Sequence, residues 1–349
     1  MKAIKILKFS NSDLINQMIE TFKNEEKSQI IKKDFFNKLE FENEKYVLAY
    51  QVDNVGSNKS LMNFIRKIKK NNIKFKKCFS ILLTHSSNDL YTKTFSQQVV
   101  FLLNTSGLSF IGQPLIEVIK DYKNFRTWQK QYKNKKLKEI MKMNVKKLAN
   151  RLKKFDDFIV NKPKILVLHA SSYDTSNTLM LWKMIKMNLK GYEIKEIEIE
   201  DGKIVDCSGC SFETCNHYAK NKSCYYGGVI IEDILPAIEE SDYIIWICPN
   251  YNDSISAKLM AVINRMTVLY RRISLKEKVL YSVIISGNSG SDSVAKHLIS
   301  ALNLNKGFIL PPNFSIMEIA NDPGSIKSVK NINKKAKKFA KRIKGDDYA

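Results

Sequence analysis

Two successive series of strand and helix patterns run along this chain, and they strongly limit the folds it can adopt. In the first half, apolar runs at residues 46–50 and 77–84 are separated by a helical pattern at residues 60–68. The second half repeats this order about two hundred residues later, a period typical of a duplicated domain plan, with apolar runs at residues 243–247 and 278–286. Continuous apolar runs indicate strands buried in a parallel sheet, which crossover helices connect.

The match continues beyond the second apolar run of each half. A polar loop leads into a helix (Thr92 to Leu103 or Ser293 to Leu302), then a glycine, and then a closing strand at residues 110–112 or 308–310. Alternation of this kind predicts an α/β protein with two tandem doubly wound parallel sheets, each a three-layer αβα sandwich. We place the first domain at residues 1–158 and the second at residues 162–349.

Four of the six cysteines lie close together in the second half, in the pattern C-x2-C-x4-C-x8-C. They are Cys207, Cys210, Cys215 and Cys224. A C-x2-C pair brings two thiolates to one side of a turn, and two further cysteines complete a four-thiolate set for an iron–sulfur cluster or for zinc. Disulfides are a third interpretation, and they fit poorly because the sequence begins without an export signal.

Three polar loops of the second half follow predicted strands. The loop at residues 170–178 is rich in hydroxyl groups and precedes a helix, which is typical of a phosphate site and also of a simple N-cap. The other two loops lie at residues 248–256 and 286–290. Ligands of doubly wound sheets bind outside the carboxyl ends of the strands. The three loops together therefore predict a site for a phosphate and a flat ring, on which Tyr251 could stack.

The ordered combination of these motifs resembles the flavodoxin-like NAD(P)H-dependent FMN reductases, and particularly the iron–sulfur flavoproteins. The resemblance covers residues 164 to about 344. It rests on Ser176-Asn177-Thr178, Cys207-Ser208-Gly209-Cys210, Glu232-Asp233-Ile234, Cys248-Pro249-Asn250-Tyr251 and Asn264-Arg265. The cysteine spacing is looser than is usual in that family, and Cys248 stands where the family usually has serine.

The resemblance implies two flavodoxin-like domains, the second of which binds FMN noncovalently, with the chemistry carried by the cofactor. The four cysteines would hold a four-iron four-sulfur cluster, or less favourably zinc. The first domain, which lacks the corresponding loops and cysteines, is expected to be a degenerate copy without a cofactor. The implied FMN ligands are Ser171, Ser172, Ser176, Asn177, Thr178, Pro249, Asn250, Tyr251, Asn252, Ser286, Gly287 and Asn288.

The net charge of +23 raises the question of nucleic-acid binding. Only seven basic residues are arginine, and the lysines are spread over nearly every predicted helix; we therefore expect no nucleic-acid partner. No apolar run approaches the ~18 residues of a membrane span, so we expect a cytoplasmic protein. NAD(P)H or ferredoxin would be the electron donor, and a homo-oligomer or an internal pseudo-dimer is expected. The alternative is a noncatalytic interaction module with structural zinc.

Overall fold

A computed structural model describes residues 3–31, 36, 39–129, 131–171, 175–199 and 204–346 of the chain. The chain divides into two compact units, one formed by Met1–Asp157 with Pro311–Asn313 and the other by Phe158–Leu310 with Phe314–Ala349. Each unit contains one five-stranded sheet, and every pair of neighbouring strands is parallel. No helix in the described ranges is both long and apolar enough to cross a membrane.

The sheet of the first unit has the strand order β2-β1-β3-β4-β5. Its strands are β1 (Ile4–Lys8), β2 (Ser28–Ile31), β3 (Lys45–Val52), β4 (Phe79–Ser86) and β5 (Ser109–Val118). Its helices are α1 (Asp13–Lys23), α2 (Lys59–Lys70), α3 (Thr92–Asn104), α4 (Arg126–Gln129) and α5 (Leu137–Lys154), with a 3-10 turn at Lys120–Phe125.

The sheet of the second unit has the strand order β7-β6-β8-β9-β10. Its strands are β6 (Ile165–His169), β7 (Ile194–Glu198), β8 (Tyr243–Pro249), β9 (Val279–Ser286) and β10 (Ser315–Ile319). Its helices are α6 (Asn177–Lys186), α7 (Phe212–Lys220), α8 (Leu235–Glu240), α9 (Ala257–Arg265), α10 (Thr267–Arg272), α11 (Ser291–Leu298) and α12 (Ile332–Lys344). Ile230–Ile234 and Ile299–Lys306 are π-helical, and Ser325–Ser328 forms a 3-10 turn.

The two strand orders are the same when each sheet is numbered from its own first strand, namely 2-1-3-4-5. This is the flavodoxin-like order, in which the chain changes direction between the first and third strands and leaves a crevice at their carboxyl ends. The predicted fold class is therefore confirmed. In the second unit the crevice lies where β6 and β8 end, which is where the hydroxyl-rich loop and the loop at residues 248–256 begin.

The central strands form the core of each unit because they are apolar on both faces. All residues of β4 and β9 are buried, as continuous apolar runs predict. Trp246 of β8 and Tyr281 of β9 are among the largest fully buried side chains. Burying each such side chain stabilises the fold by about 1.5–3 kcal/mol, so the strands that carry the polar loops are rigidly fixed.

The closing strand of the second unit differs from the one expected at residues 308–310. In that stretch Ile309 and Leu310 are bridge residues and not part of a strand, with Ile309 opposite Val279, and the strand itself is β10. Pro311 and Pro312 have no N–H to donate to a neighbouring strand, which explains the interruption. In the first unit, β5 continues through the corresponding stretch with a register shift, since Ser80 pairs with Phe110 and Leu82 with Leu115.

Candidate functional site: a cavity at the carboxyl edge of the second sheet

A cavity of about 550 Å³ opens at the carboxyl edge of the second sheet. Its size is within the range of small-molecule sites, about 300–1,000 Å³. Four of the predicted ligands line this sheet-edge cavity, namely Ser171, Ser176, Asn177 and Tyr251. The lining also includes seven residues that were not predicted as ligands from the sequence, namely Ala170, Thr175, Ser256, Ala257, Lys258, Asn321 and Pro323.

The first wall of the cavity is the loop between β6 and α6. Ser171 is buried, and its carbonyl oxygen lies 3.1 Å from Nδ1 of His169. Ser176 is the N-cap of α6, since its hydroxyl accepts a hydrogen bond from the Leu179 N–H at 3.5 Å, and it contacts Oγ1 of Thr178 at 2.9 Å. Ser172 was predicted as a further ligand and lies outside the described residues.

Asn177 supports the cavity through its side chain instead of offering that side chain to a ligand. Its amide nitrogen donates to the carbonyl oxygens of Ala320 and Asp322 at 3.1 and 2.9 Å. Its amide oxygen accepts from the Ile326 N–H at 3.1 Å. These bonds hold the segment after β10 against the start of α6, and they place Asn321 and Pro323 in the cavity wall. What Asn177 can offer a ligand is its backbone N–H.

The second wall is the loop between β8 and α9, which begins with a tight turn. Asn252 and Asp253 both have positive φ, at 50° and 59°, which is the combination that a type I′ turn requires. The turn joins Tyr251 and Ser254 as an antiparallel bridge. Tyr251 is thereby projected outward with 59% of its surface exposed, so one ring face is available to a ligand.

Asn250 connects the second loop to the third. Its amide nitrogen donates to Oδ1 of Asp253, to Oγ of Ser286 and to the carbonyl oxygen of Ser289, at 3.1, 3.0 and 2.9 Å. A Cβ atom at Gly290, whose φ is +84°, would lie 1.7 Å from the Asp253 carboxylate. The predicted third loop therefore acts as a support behind the second. Of the predicted ligands, Thr178, Pro249, Asn250, Asn252, Ser286, Gly287 and Asn288 are outside the cavity lining.

The start of α9 contributes a buried hydroxyl group, that of Ser256, to the cavity wall. Ser256 is the N-cap residue, yet its side chain makes no capping bond. Its hydroxyl is buried and has no hydrogen-bond partner among the described residues. A buried hydroxyl without a partner costs about 1–3 kcal/mol, so a hydrogen bond to a molecule bound in the cavity would relieve this cost. Lys258 lies in the first turn of the same helix.

The electrostatics of the cavity favour an anion. The amino ends of α6 and α9 both contribute residues to the lining. The first N–H groups of a helix have no partner within that helix, and the helix dipole makes this end partly positive. Together with the Lys258 side chain at the wall, these groups suit a phosphate.

A second and smaller cavity of about 120 Å³ lies at the other end of α9. Cys207, Cys210, Cys215 and Cys224 all line this cysteine cavity, so the structure brings together the four predicted thiols. Its wall is completed by Gly209, Tyr218, Tyr225, Tyr226, Asn264, Arg265, Thr267, Val268 and Arg271. No three His, Cys, Asp or Glu side chains in the described part of the chain are grouped closely enough to hold one metal ion.

The cysteine segment is fastened to α9 by a carboxylate. Asp206 accepts from the Asn264 amide nitrogen at 3.0 Å and from the Cys207 N–H at 2.6 Å. Ser211 then caps α7 by accepting from the Thr214 N–H at 3.1 Å.

Nearby, burial lowers the pKa of Lys306, whose amine donates to Oγ1 of Thr267 at 2.8 Å. Cys248 is remote from this set and fully buried in β8, which raises the pKa of its thiol.

At the carboxyl edge of the first sheet, hydrogen bonds between side chains and backbone connect the two loops that correspond to the cavity walls. Ser10 accepts hydrogen bonds from the Gln51 N–H and from the Asn58 amide, each at 2.9 Å. Asn58 also donates to the Gln51 carbonyl oxygen at 2.8 Å and caps α2 by accepting from the Leu61 N–H. In this unit the hydroxyl of the first loop is used to hold the second loop.

Comparison with known proteins agrees with this geometry. Residues 163–322 match a family model described as NADPH-dependent FMN reductase, which confirms the resemblance to the FMN reductases for that part of the chain. No curated protein sequence matches the chain.

Similar solved structures include RosB with a bound 8-demethyl-8-formylriboflavin-5'-phosphate intermediate, at 17% identity, a TM-score of 0.40, and coverage of 51% of this chain and 75% of that one. An azoreductase from Bacillus anthracis has 13% identity and a TM-score of 0.40, with 52% and 99% of the two chains covered. A NAD(P)H:quinone oxidoreductase from Methanothermobacter marburgensis has 14% identity and a TM-score of 0.39, with 52% and 99% covered.

Proposed function

We propose, from the match of residues 163–322 to the family model described as NADPH-dependent FMN reductase, that the second unit binds FMN and is an FMN-dependent oxidoreductase. The observation that carries the proposal is the sheet-edge cavity itself. It combines four predicted ligands from two separate loops with the buried hydroxyl of Ser256, which has no hydrogen-bond partner among the described residues. A cavity with these groups has the chemistry that a flavin phosphate and its ring require.

The phosphate would lie against the amino ends of α6 and α9. Backbone N–H groups of both first turns would donate to it, and the hydroxyls of Ser171, Ser176 and Ser256 would add side-chain donors. Lys258 would contribute charge. Ser172 and Thr178 remain proposed phosphate ligands from the sequence. Because hydrogen bonds to an ionised group contribute about 1.5–3 kcal/mol each, a few of them provide most of the affinity needed.

The flavin ring would rest against the loop that begins at Pro249, with Tyr251 stacked on one face. The hydrogen bonds of Asn250 fix this loop on the one that follows β9, residues 286–288 included. Bound FMN supplies the electron-transfer chemistry. The protein's part is to orient the ring, to shield one of its faces and to leave the other accessible to an electron donor.

NAD(P)H is the proposed donor, with ferredoxin as the alternative. The exposed side of Tyr251 leaves the mouth of the cavity open to a nicotinamide ring or to a partner protein. We also propose that the protein forms a homo-oligomer that covers part of this mouth. Light scattering of the FMN-loaded protein measures this directly, and a mass equal to one chain would exclude it.

The second cofactor we propose is a four-iron four-sulfur cluster in the cysteine cavity. The four thiols line one cavity, and four thiolates are the ligand set of such a cluster. Zinc takes the same ligands but usually arranges them as two separate pairs. Zinc with a noncatalytic role is thus the less favoured alternative.

One helix connects the two cavities. Ser256, Ala257 and Lys258 at the start of α9 line the first, and Asn264 and Arg265 at its end line the second. The helix has nine residues, which corresponds to about 13 Å at a rise of 1.5 Å per residue. This separation supports electron exchange between the two groups within one chain.

The test is anaerobic reconstitution of the full-length chain with FMN, followed by an absorption spectrum and an NADPH or NADH oxidation assay. We expect flavin bands that remain after gel filtration, with one FMN bound per chain, and bleaching of those bands by the pyridine nucleotide. Flavin that is not reduced by either nucleotide but is reduced by ferredoxin would reassign the donor. A chain that stays colourless after FMN addition would overturn the proposed function.

A further inference from the structure

The wall of the cysteine cavity contains a buried positive charge for which the described part of the chain offers no carboxylate partner. Arg265, the last residue of α9, is only 2% exposed. Its guanidinium donates to the carbonyl oxygens of Val205 at 3.2 Å and Gly227 at 2.8 Å. Its Nε–H has no hydrogen-bond acceptor among the described residues. Among the same residues, no carboxylate lies within ion-pair distance of the guanidinium.

The two carbonyl groups that Arg265 contacts lie on either side of the four cysteines. Val205 precedes Cys207, and Gly227 follows Cys224. One guanidinium therefore joins the beginning and the end of the cysteine segment, and Arg265 belongs to the lining of the cavity. The contacts fix the position of the segment, but two neutral carbonyls do not balance the charge.

A buried arginine is rarely found without an anion, because removing its charge from water is costly unless a counter-charge replaces the lost hydration. Among the described residues that line this cavity, the cysteine thiolates are the groups that can supply negative charge. Two carboxylates of the described network lie close by, but Asp206 is directed to Asn264 and to the Cys207 N–H, and Glu232 accepts from the Gly228 N–H. Two more cations lie close to the same thiols, namely Arg271 of the cavity wall and Lys306.

We propose that Arg265 is the counter-cation of an anionic, thiolate-bound metal group in the cysteine cavity. Arg265 is thus a positioning and potential-setting residue for the second cofactor. The inference rests on the proposed function only in taking that group to be an iron–sulfur cluster. The Nε–H of Arg271 likewise has no acceptor among the described residues, but the Arg271 guanidinium packs over the Phe212 ring at 4.4 Å, a cation–π contact that partly compensates its charge.

The experiment compares the full-length wild-type chain with three variants. Arg265→Gln removes the charge but keeps an N–H donor, and Arg265→Lys keeps the charge. Arg272→Gln is the matched control, because Arg272 is paired with Glu239 and lies outside the cavity lining. Each chain is reconstituted anaerobically with ferrous iron and sulfide. Iron, sulfide and FMN are then quantified per chain, and the midpoint potential of the cluster is measured by dye titration.

The proposal predicts that Arg265→Gln loses at least half of the bound iron, and that any cluster that remains has a lower potential than in the wild type. Net charge and hydrogen bonds to sulfur set such potentials, so loss of a positive charge disfavours the added electron. Arg265→Lys should bind as much iron as the wild type, and the midpoint potential of its cluster should stay close to the wild-type value. Arg272→Gln should match the wild type in both.

Thermal unfolding of the metal-free chains separates a counter-cation from a purely structural arginine. Without metal, Arg265→Gln should be at least as stable as the wild type, since the unbalanced buried charge is gone. A less stable metal-free Arg265→Gln would overturn the proposal and leave only the carbonyl contacts. Unchanged iron and potential in that variant, or a wild type that binds no iron, would overturn it as well. FMN content reports on the proposed flavin site independently.

Discussion

Ser256→Ala is expected to weaken FMN binding while leaving the apoprotein as stable as before or more so. The Ser256 hydroxyl is buried in the wall of the sheet-edge cavity, has no partner among the described residues and does not cap its own helix. In the apoprotein its removal eliminates an unsatisfied polar group. In the complex its removal deletes a hydrogen bond to the cofactor.

The expected magnitudes follow from these two states. A hydrogen bond to a charged phosphate contributes about 2 kcal/mol, which is a factor of roughly 30 in the dissociation constant. Removal of the unsatisfied hydroxyl should raise the free energy of unfolding of the apoprotein by about 1 kcal/mol. The two effects have opposite signs, which few substitutions at a binding site would give.

Fluorescence titration with FMN and urea unfolding of the apoprotein measure the two quantities. Ser241→Ala is the matched control, since Ser241 is also buried but its hydroxyl donates to the Ala237 carbonyl oxygen at 2.7 Å. That variant should lose about 1 kcal/mol of stability and bind FMN normally. If Ser256→Ala destabilises the apoprotein and leaves FMN affinity unchanged, the hydroxyl is structural and our placement of the cofactor is wrong.

Two further substitutions test a support of the site and an ion pair that lies outside it. Gly290→Ala should lower the free energy of unfolding by about 2 kcal/mol or more and weaken FMN binding, because the new Cβ displaces Asp253 in addition to straining the backbone. Gly191→Ala is the control, since φ is +87° there and no atom lies near; it should lose only about 1 kcal/mol and bind FMN normally. Equal losses of stability in urea unfolding would show that the new Cβ at Gly290 does not clash with Asp253. A hydrogen bond from Arg272 is the largest cause of the lowered pKa of Glu239, whose ordinary value is 4.5. The pair therefore stabilises the fold above that pH and loses this effect as the pH falls through the lowered pKa. Glu239→Gln should cost at most about 1 kcal/mol at pH 7 and should flatten the acid dependence of the urea midpoint; an unchanged acid profile would contradict this assignment.

The sequence was sufficient for the fold because the strands of a parallel sheet are buried on both faces. Such strands appear as continuous apolar runs, as in β4 and β9, and their alternation with helices determines the layer arrangement. The closing strand was misplaced at residues 308–310 because an apolar run does not reveal where backbone pairing resumes after Pro311 and Pro312.

The cavity was only partly predictable. The sequence predicts Ser171, Ser176 and Tyr251 as site residues because they lie in loops directly after strands, where ligands of this fold bind. Ser256 stands in the predicted second loop, before a helix, but only the structure shows that its hydroxyl makes no cap. Asn321 and Pro323 are far along the chain, and they reach the cavity through the hydrogen bonds that Asn177 makes.

The four cysteines were predicted as one set from spacing, and they do line one cavity. Which group the four cysteines could hold depends on how far apart the thiols lie and on the charges around them. Sequence spacing carries neither quantity, and it does not predict that Arg265 is buried in the wall of the same cavity.

The most direct test of the account is the stoichiometry of flavin on the full-length protein. After anaerobic incubation with FMN and removal of the unbound cofactor, the protein should retain one flavin per chain, and Ser256→Ala should retain much less under the same conditions. A protein that retains no flavin at any FMN concentration would contradict the assignment of the sheet-edge cavity, and with it the oxidoreductase function.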